Sequence, residues 1–457
     1  MSKIRSFTCG AAFAGGLISI LASTAYAQGL TYEGELTFTA RQFTRDGIQA
    51  GQPTSGTSFI TEGRIGANAD LSFGQIAIEL YGRGDSRTST DVLDIQKAYF
   101  TTGNDFVNIL VGSDVVFWGT AESFNPTNII NQNDQFSRVE QERKLGQPMV
   151  NINFETGALG TLSFYGLLGF REPEFGSAST RPRFGSIPDD SRAMFQSASH
   201  DLDIAIRNTN TISLSSSSLD YAVSYFEGTN RSPVILPGCA NLSAPVTAAT
   251  CNAVNADIRT AFETLTPGGP GTLLNQITTL TTPATNAFLL GGNSVGTVPY
   301  YQQMQQVGLE LAYASGDWLW KFEGTRRFVS NEDYLSGVVG AEYRFNGIFG
   351  AAGDLTVAAE YTFDNRSVLQ PITVFDDDIF ASLRYDFNNR LSTSVSLSSL
   401  YDVNTDGAVF NLDVSSRVTD STRVNLSATH INSSNPSDPL TALNNDDFYE
   451  LSFSYFF

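Results

Sequence analysis

The segment from residue 118 to 134 carries the side chains best suited to handling a solute. Carboxylates and amides recur there among apolar residues: Trp118, Glu122, Asn125, Asn128, Asn131 and Asp134. Apolar groups in such a loop need a surface to pack on, whereas the polar groups can face water. The pattern predicts a loop that packs on a wall and narrows a water-filled passage with its polar side chains.

A second polar cluster runs from Asp402 to Gly407, with Asp413 six positions further on. Its spacing matches the opening of a calcium loop, in which carboxylate oxygens hold the ion. The flanking segments, however, have the pattern of strands, and Asn, Asp and Gly are common at hairpin tips. We favour a hairpin tip and assign no metal, with calcium binding as the alternative.

The two histidines of the chain lack the sequence surroundings of a catalytic base. Nucleophilic catalysis requires a nucleophile beside a positioned base. The chain contains two histidines, His200 and His430, and no nucleophile motif surrounds either. The sequence therefore predicts a protein that is not an enzyme and has no cofactor.

Four arginines gather around one predicted loop: Arg171, Arg181, Arg183 and Arg192. Guanidinium groups bind phosphate and carboxylate oxygens. We favour contact with lipopolysaccharide phosphates over a capture site for an anionic solute.

The overall charge argues against a nucleic-acid partner. The formal net charge is −20, and the acidic residues are spread along the chain. Nucleic-acid binding requires a basic surface, which this distribution does not offer.

Residues 1–27 have the pattern of an export signal. Lys3 and Arg5 precede the apolar stretch 11–21, and Ala25-Tyr26-Ala27 forms the small-x-small motif that precedes a cleavage site. We expect cleavage after Ala27 and a mature chain that starts at Gln28. In the exported, oxidising compartment that this implies, Cys239 and Cys251 are expected to form a disulfide.

Strict alternation of apolar and polar residues dominates the remaining chain. Charged residues fall in mid-strand positions opposite aromatic ones, which suits a strand with lipid on one face and a water-filled lumen on the other. The predicted lumen charges are Glu310, Lys321, Glu323, Glu342 and Glu360.

The same alternation continues to the last residue. Phe453, Tyr455 and Phe457 fall on one face of segment 448–457, and Ser452 and Ser454 fall on the other. This ending resembles the C-terminal assembly signal of Gram-negative outer-membrane β-barrels, which implies recognition by the barrel-assembly machinery. A closed barrel is the β-structure that leaves no unpaired edge in a bilayer.

Counting the alternating segments gives a transmembrane antiparallel barrel of about eighteen strands, with sixteen as the alternative. Short turns alternate with longer loops along the chain. This alternation predicts that the short turns and both termini are periplasmic and that the longer loops lie outside. The strands are predicted at 30–44, 57–73, 74–86, 90–103, 105–116, 146–157, 159–171, 200–215, 217–229, 300–315, 317–329, 333–346, 353–365, 373–387, 389–402, 406–418, 420–433 and 446–457.

Two connections are exceptionally long. Segment 117–145 is predicted to fold into the lumen, and segment 230–299 to lie outside the cell. Apolar residues at helical spacing near 254–265 and 273–280 predict two short amphipathic helices in the second segment. They form either a lid over the pore mouth or an exposed protrusion packed on itself.

The region from residue 91 to 150 resembles a Gram-negative outer-membrane barrel family of unknown function and, more distantly, the alginate-export barrels. The resemblance rests on Ala98-Tyr99, the Gly112 to Gly119 turn containing Trp118, Pro148-Met149, and the loop Asn125-Pro126 with Asn131 and Asp134. Asn128 stands where the family usually has Asp, which weakens a carboxylate role there. The resemblance implies a monomeric or weakly associating channel.

We therefore predict a passive outer-membrane channel for a small or medium solute, in contact with membrane lipid and lipopolysaccharide. The oligomeric state is open, with a monomer favoured. A polysaccharide or other export pore is one alternative function. A plugged barrel with a structural or adhesive role at the surface is another.

Overall fold

The structure is a computed structural model that describes residues 29–135, 143–197, 202–240, 246–269, 271–291, 295–330, 332–348 and 352–457. The predicted signal peptide, Gln28 and His200 lie outside the described residues.

The described chain forms strands along most of its length. In chain order they are β1 (Gly29–Phe43), β2 (Gly56–Leu71), β3 (Gly74–Asp85), β4 (Val92–Gly103), β5 (Val107–Asp114), β6 (Gln147–Glu155), β7 (Thr161–Leu168), β8 (Met194–Phe195), β9 (Leu202–Ser213), β10 (Ser217–Thr229), β11 (Val234–Cys239), β12 (Val295–Tyr301), β13 (Gln303–Ser315), β14 (Trp318–Val329), β15 (Asp333–Phe345), β16 (Asp354–Asp364), β17 (Asp378–Asp386), β18 (Ser394–Asp402), β19 (Ala408–Thr419), β20 (Thr422–Asn432) and β21 (Phe448–Phe456).

Eighteen of these strands form one closed antiparallel sheet. Each pairs with its neighbours in chain order, except that β8, β11 and β12 stand apart as a three-stranded sheet. The barrel closes where β21 pairs with β1, from Phe43 opposite Phe448 to Glu35 opposite Phe456. The predicted fold and strand number are confirmed, and the alternative of sixteen strands is wrong.

The two faces of the barrel wall differ as the alternation predicts. On β13, Val307 and Leu309 point outward and remain 46% and 37% exposed, whereas Gln306 and Glu310 point inward and are 1% and 2% exposed. Phe453, Tyr455 and Phe457 likewise face outward, and the rings of Tyr455 and Phe457 stack with their centroids 6.0 Å apart. An apolar outer face with aromatic residues is typical of barrels that span a membrane.

The connections between strands differ in length between the two ends of the barrel. Those at one end are tight, such as 72–73, 316–317 and 420–421. Those at the other include all the long ones: 44–55, 115–146, 169–201, 230–302, 365–377 and 433–447. The start of β1 and the end of β21 both lie at the end of the barrel with the tight turns, because the barrel has an even number of strands.

Residues 230–302, the outer-loop unit, contain β11 and β12 and three helices: α1 (Ala248–Glu263), α2 (Leu273–Leu280) and α3 (Pro283–Gly291). The first two helices were predicted, whereas α3 and the small sheet were not. A disulfide joins Cys239 at the end of β11 to Cys251 in α1. None of the described helices is both long and apolar enough to cross a bilayer.

The outer-loop unit has a hydrophobic core of its own. Ile258 and Phe262 of α1 and Leu236 of β11 are fully buried together, and the ring of Phe262 packs edge-on against Tyr300 at 5.3 Å. A neighbouring loop contributes Leu369. Fully burying an apolar side chain contributes about 1.5–3 kcal/mol, so this unit is stabilised largely by its own contacts.

Candidate functional site

Residues 115–146, the inward loop, connect β5 to β6, and their described part, 115–135 and 143–146, runs along the inside of the barrel wall. Gly112 has a φ of +137°, and a Cβ there would lie 2.2 Å from the carbonyl oxygen of Ala98. Gly119 has a φ of +142°, and a Cβ there would meet the amide of Asn125 at 2.0 Å. Both positions therefore require glycine where the chain turns inward.

The apolar side of the inward loop packs on the wall. Trp118 and Ile130 are 1% and 0% exposed, and the indole packs edge-on against Tyr165 at 5.6 Å. They share one cluster with Ile129 and with five inward-facing strand residues: Met149, Leu167, Ala205, Phe226 and Met304. This packing fixes the loop along β6 to β13.

Asn131 joins the two stems of the inward loop. Its Nδ2 donates to the carbonyl oxygens of Asp114 and Leu145, both at 2.8 Å, and its Oδ1 accepts from the amide of Val116 at 2.9 Å. Asn128 accepts from the backbone amide of Trp118 at 3.3 Å. These amides satisfy the backbone of an irregular segment that has no regular partner strand.

Three of the predicted polar loop residues consequently do not face water. Asn128, Asn131 and Asp134 are 8%, 1% and 3% exposed. The expectation that they line the open passage is therefore wrong. For Asn128 and Asn131 the physical reason is that a buried irregular backbone needs their hydrogen-bonding groups.

Two glutamates, one on β14 and one on β16, bind the tip of the inward loop. Glu323 of β14 is fully buried and accepts hydrogen bonds from the amides of Thr120 and Ala121 and, at 3.1 Å, from the Thr127 hydroxyl. When the oxygen and nitrogen of the Asn125 side-chain amide exchange positions, the nitrogen also donates to Glu323 at 2.7 Å.

Glu360 of β16 binds the next residues of the tip. It accepts from the amide of Glu122 at 3.0 Å and from the amide and hydroxyl of Ser123 at 2.8 and 2.6 Å. Hydrogen bonds to an ionised acceptor are about twice as strong as neutral ones. The two predicted lumen carboxylates thus serve as anchors for loop N–H groups.

Glu122 is the predicted loop residue that keeps the most access to water. Its side chain is 43% exposed and accepts from Lys321 Nζ at 3.3 Å. The same Nζ lies 3.1 Å from Glu342, which is 24% exposed. Glu122 and Glu342 thus present charge to the lumen beside the anchored loop tip, and the buried Lys321 pairs with both.

Glu310, the last of the predicted lumen charges, pairs with Arg207 at 2.6 Å. The Arg207 guanidinium also lies 5.3 Å from the centre of the Trp118 ring. This ion pair therefore supports the wall on which the inward loop packs.

Two buried arginines complete the attachment and were not predicted. Arg231, at the base of the outer-loop unit, donates from Nε and Nη2 to the Ile130 carbonyl at 3.2 Å and pairs with Asp203 at 2.6 Å. Arg327 of β14 donates to the Pro126 carbonyl at 2.9 Å. An arginine at an inward position of a strand, or just beyond one, is the sequence signal that could have found them.

The opposite wall keeps accessible polar groups. Arg64 of β2 and Lys97 of β4 flank Glu79 at 3.4 and 3.0 Å, and their side chains are 42% and 36% exposed. The interior therefore combines a wall covered by the inward loop with a wall that presents charge.

The predicted arginine cluster divides in the structure. Arg181 is fully buried and pairs with Asp446 at 2.6 Å, and Arg171 pairs with Asp94. These two arginines stabilise the loops at the end of the barrel with the long connections, and they do not form an exposed patch. Phosphate contact stays a prediction for Arg183 and Arg192.

The Asp402–Gly407 segment is a hairpin tip, as favoured from the sequence. Asp402 accepts from the amides of Asn404 and Thr405 at 2.7 and 2.9 Å, which caps the turn. Asp413 lies within β19, opposite Ser396, and so does not belong to the turn. His430 lies 3.1 Å from Asp447 on the outside of the barrel.

Comparison with known proteins finds likeness in structure only. No family model matches the chain, and no curated protein matches it in sequence. Among solved structures, it resembles OprB of Pseudomonas putida, with 10% identity, a TM-score of 0.45 and 97% of each chain covered.

Two further solved structures have similar values. A BenF-like porin from Pseudomonas fluorescens Pf-5 has 10% identity and a TM-score of 0.48, over 94% of this chain and 99% of that one. OccAB3 of Acinetobacter baumannii has 11% identity and a TM-score of 0.43, over 93% and 99%. A proposal of function must therefore depend on the geometry of this chain.

Proposed function

We propose that the protein is a passive channel of the bacterial outer membrane for a small or medium solute, with the inward loop as its constriction. The observation that carries the proposal is a closed eighteen-stranded wall, apolar outside and charged inside, with a loop anchored across its interior. Barrels of sixteen to eighteen strands are wide enough to leave an aqueous channel.

The anchoring pattern supports a fixed constriction. The loop tip is bound by Glu323 and Glu360 of strands β14 and β16, and its apolar half is buried on β6 to β13. A loop held by buried carboxylates on one side and packed side chains on the other keeps a constant cross-section. Charged groups beside it, above all Glu122, then meet the solute.

Single-channel recording in planar lipid bilayers tests the proposal. The purified protein is expected to give stepwise, voltage-independent conductance increments. The double variant Glu323→Ala with Glu360→Ala should release the tip and raise the conductance while the apolar half of the loop still covers the wall. Glu342→Ala is the matched control, because Glu342 binds Lys321 and no loop amide in the described contacts.

The outcomes separate the channel from the plugged barrel. A folded wild-type protein that inserts and conducts no ions would overturn the channel and favour a surface structural role. Conductance that is equal in the double variant and the wild type would retain the channel but remove the inward loop from its constriction.

A further inference from the structure

Three aspartates meet at the rim of the barrel on the long-loop side. Asp376 lies in the connection 365–377, Asp378 is the first residue of β17, and Asp402 is the last of β18. Antiparallel pairing places Asp378 directly opposite Asp402. One carboxylate oxygen from each of the three lies within 4.8 Å of the other two.

Two of these carboxylates are buried, and none of the three has a cationic partner among the described residues. Asp378 and Asp402 are 1% and 5% exposed, and within the described ranges neither they nor Asp376 lie in an ion pair. In the same part of the chain, Oδ1 of Asp378 has no hydrogen-bond donor, whereas Oδ2 accepts from the Thr362 hydroxyl at 3.2 Å.

Burying charge in this way is costly unless something neutralises it. An isolated cluster of acidic groups at a surface would be solvated, but the unpartnered oxygen of Asp378 is enclosed by the fold. A bound cation would neutralise these carboxylates and give that oxygen a partner.

We propose that Asp376, Asp378 and Asp402 bind a calcium ion. Calcium takes oxygen ligands at about 2.3–2.6 Å, so oxygens on opposite sides of the ion lie roughly 5 Å apart. The three carboxylate oxygens lie within 4.8 Å of one another and so within that span. Magnesium requires shorter bonds of about 2.0–2.1 Å in a strict octahedron and is expected to bind more weakly.

The ion would join separate segments of the rim. Phe375, next to Asp376, stacks on Phe124 of the inward loop, with ring centres 4.7 Å apart and planes at 9°. Calcium would therefore fix the connection 365–377 to the β18–β19 hairpin and hold Phe375 against the loop tip. This assignment does not depend on the channel function.

Isothermal titration calorimetry of the EDTA-treated full-length barrel with calcium chloride tests the assignment. One site is expected, with a Kd of about 10⁻⁴–10⁻³ M, the range of extracellular calcium modules. Asp378→Asn and Asp402→Asn should each abolish binding, and magnesium should bind less tightly. Hydrogen exchange should show that calcium protects the backbone around residues 365–377 in the wild type.

Asp406→Asn is the matched control. Asp406 lies at the hairpin tip with a φ of +62°, a conformation that asparagine also adopts readily, and it would be a ligand in the alternative calcium loop. Binding that persists in this variant supports the three-aspartate site.

Three results would overturn the proposal. They are the absence of calcium binding to folded wild type, loss of binding in Asp406→Asn alone, and undiminished binding in the Asp378 and Asp402 variants. Heat-modifiable migration in electrophoresis establishes that each variant is folded. If Asp378→Asn does not fold, Asp376→Asn in the half-buried connection replaces it.

Discussion

The inward loop and the outer-loop unit are both long insertions, but they are stabilised in different ways. The inward loop has no regular secondary structure over most of its described length and uses the barrel wall for packing and for hydrogen bonds. The outer-loop unit has its own strands, helices, core and disulfide.

The difference follows from what surrounds each insertion. Inside the barrel, inward-facing carboxylates can accept from loop amides, so an irregular backbone is tolerated. Outside it, no barrel wall is available, and strands and helices packed around a core provide partners for the backbone that the insertion buries. Perturbing the wall should therefore affect the inward loop alone, except at the residue that joins the two regions.

Arg231 is that residue, and its removal should have the largest effect on stability. Arg231→Ala leaves Asp203 buried without its cation and removes two donors from the Ile130 carbonyl. Removing one partner of a buried ion pair costs about 3–5 kcal/mol. Urea unfolding of the barrel in lipid vesicles measures this loss.

Arg326→Ala is the control for Arg231. The Arg326–Asp333 pair is 57% and 51% exposed, so its loss should cost no more than about 1 kcal/mol. Equal losses in the two variants would show that Arg231 does not join the regions.

Breaking the disulfide should destabilise the outer-loop unit alone. Cys239 and Cys251 are 12 positions apart, and a loop of this size corresponds to roughly 3 kcal/mol in a chain-entropy model. In a variant with both cysteines replaced by serine, hydrogen exchange should accelerate in α1 and β11 and stay unchanged in β13. Faster exchange throughout the barrel would show that the unit is not self-contained.

Glu323→Ala should loosen the inward loop and leave the outer-loop unit intact. The substitution leaves the amides of Thr120 and Ala121 without their acceptor, at about 1–3 kcal/mol for each buried unsatisfied group. Limited proteolysis should cut the loop faster, with α1 as resistant as before. Glu323→Gln should have a smaller effect because its amide oxygen still accepts.

The barrel was predictable from the sequence because each strand carries its own pattern. In segments such as β13, apolar residues alternate with polar ones and so indicate which side chains face the lipid and which face the lumen. Turn-forming residues mark the strand ends. All eighteen strands could be located in this way. The helix α3 was missed because its nine residues, from Pro283 to Gly291, show little separation of polar and apolar faces.

The contacts of the site were less predictable because they join residues far apart in the chain. Glu323 was expected in the lumen, and it faces inward, but its partner Thr120 is 203 positions away and leaves no local pattern. Pairing of adjacent strands could have placed Asp378 beside Asp402. Nothing in the sequence around Asn131 indicates that its amide joins two backbone stems.

The smallest expected effect concerns the water-facing side of the inward loop. Glu122→Gln removes the loop carboxylate that is 43% exposed, while Lys321 keeps Glu342 as its partner. Partly exposed charges act over about a Debye length, 8–10 Å at ordinary salt, which exceeds the half-width of a narrow passage. The reversal potential in a potassium chloride gradient should shift modestly towards lower cation selectivity, because a negative charge has been removed from the passage.

Asp134→Asn provides the contrast, because Asp134 is only 3% exposed. Its neutralisation should leave the reversal potential unchanged even though it removes the same formal charge from the same loop. An equal shift in both variants would mean that the total charge of the loop sets selectivity, whereas a shift in Glu122→Gln alone assigns selectivity to the side chain that remains in water.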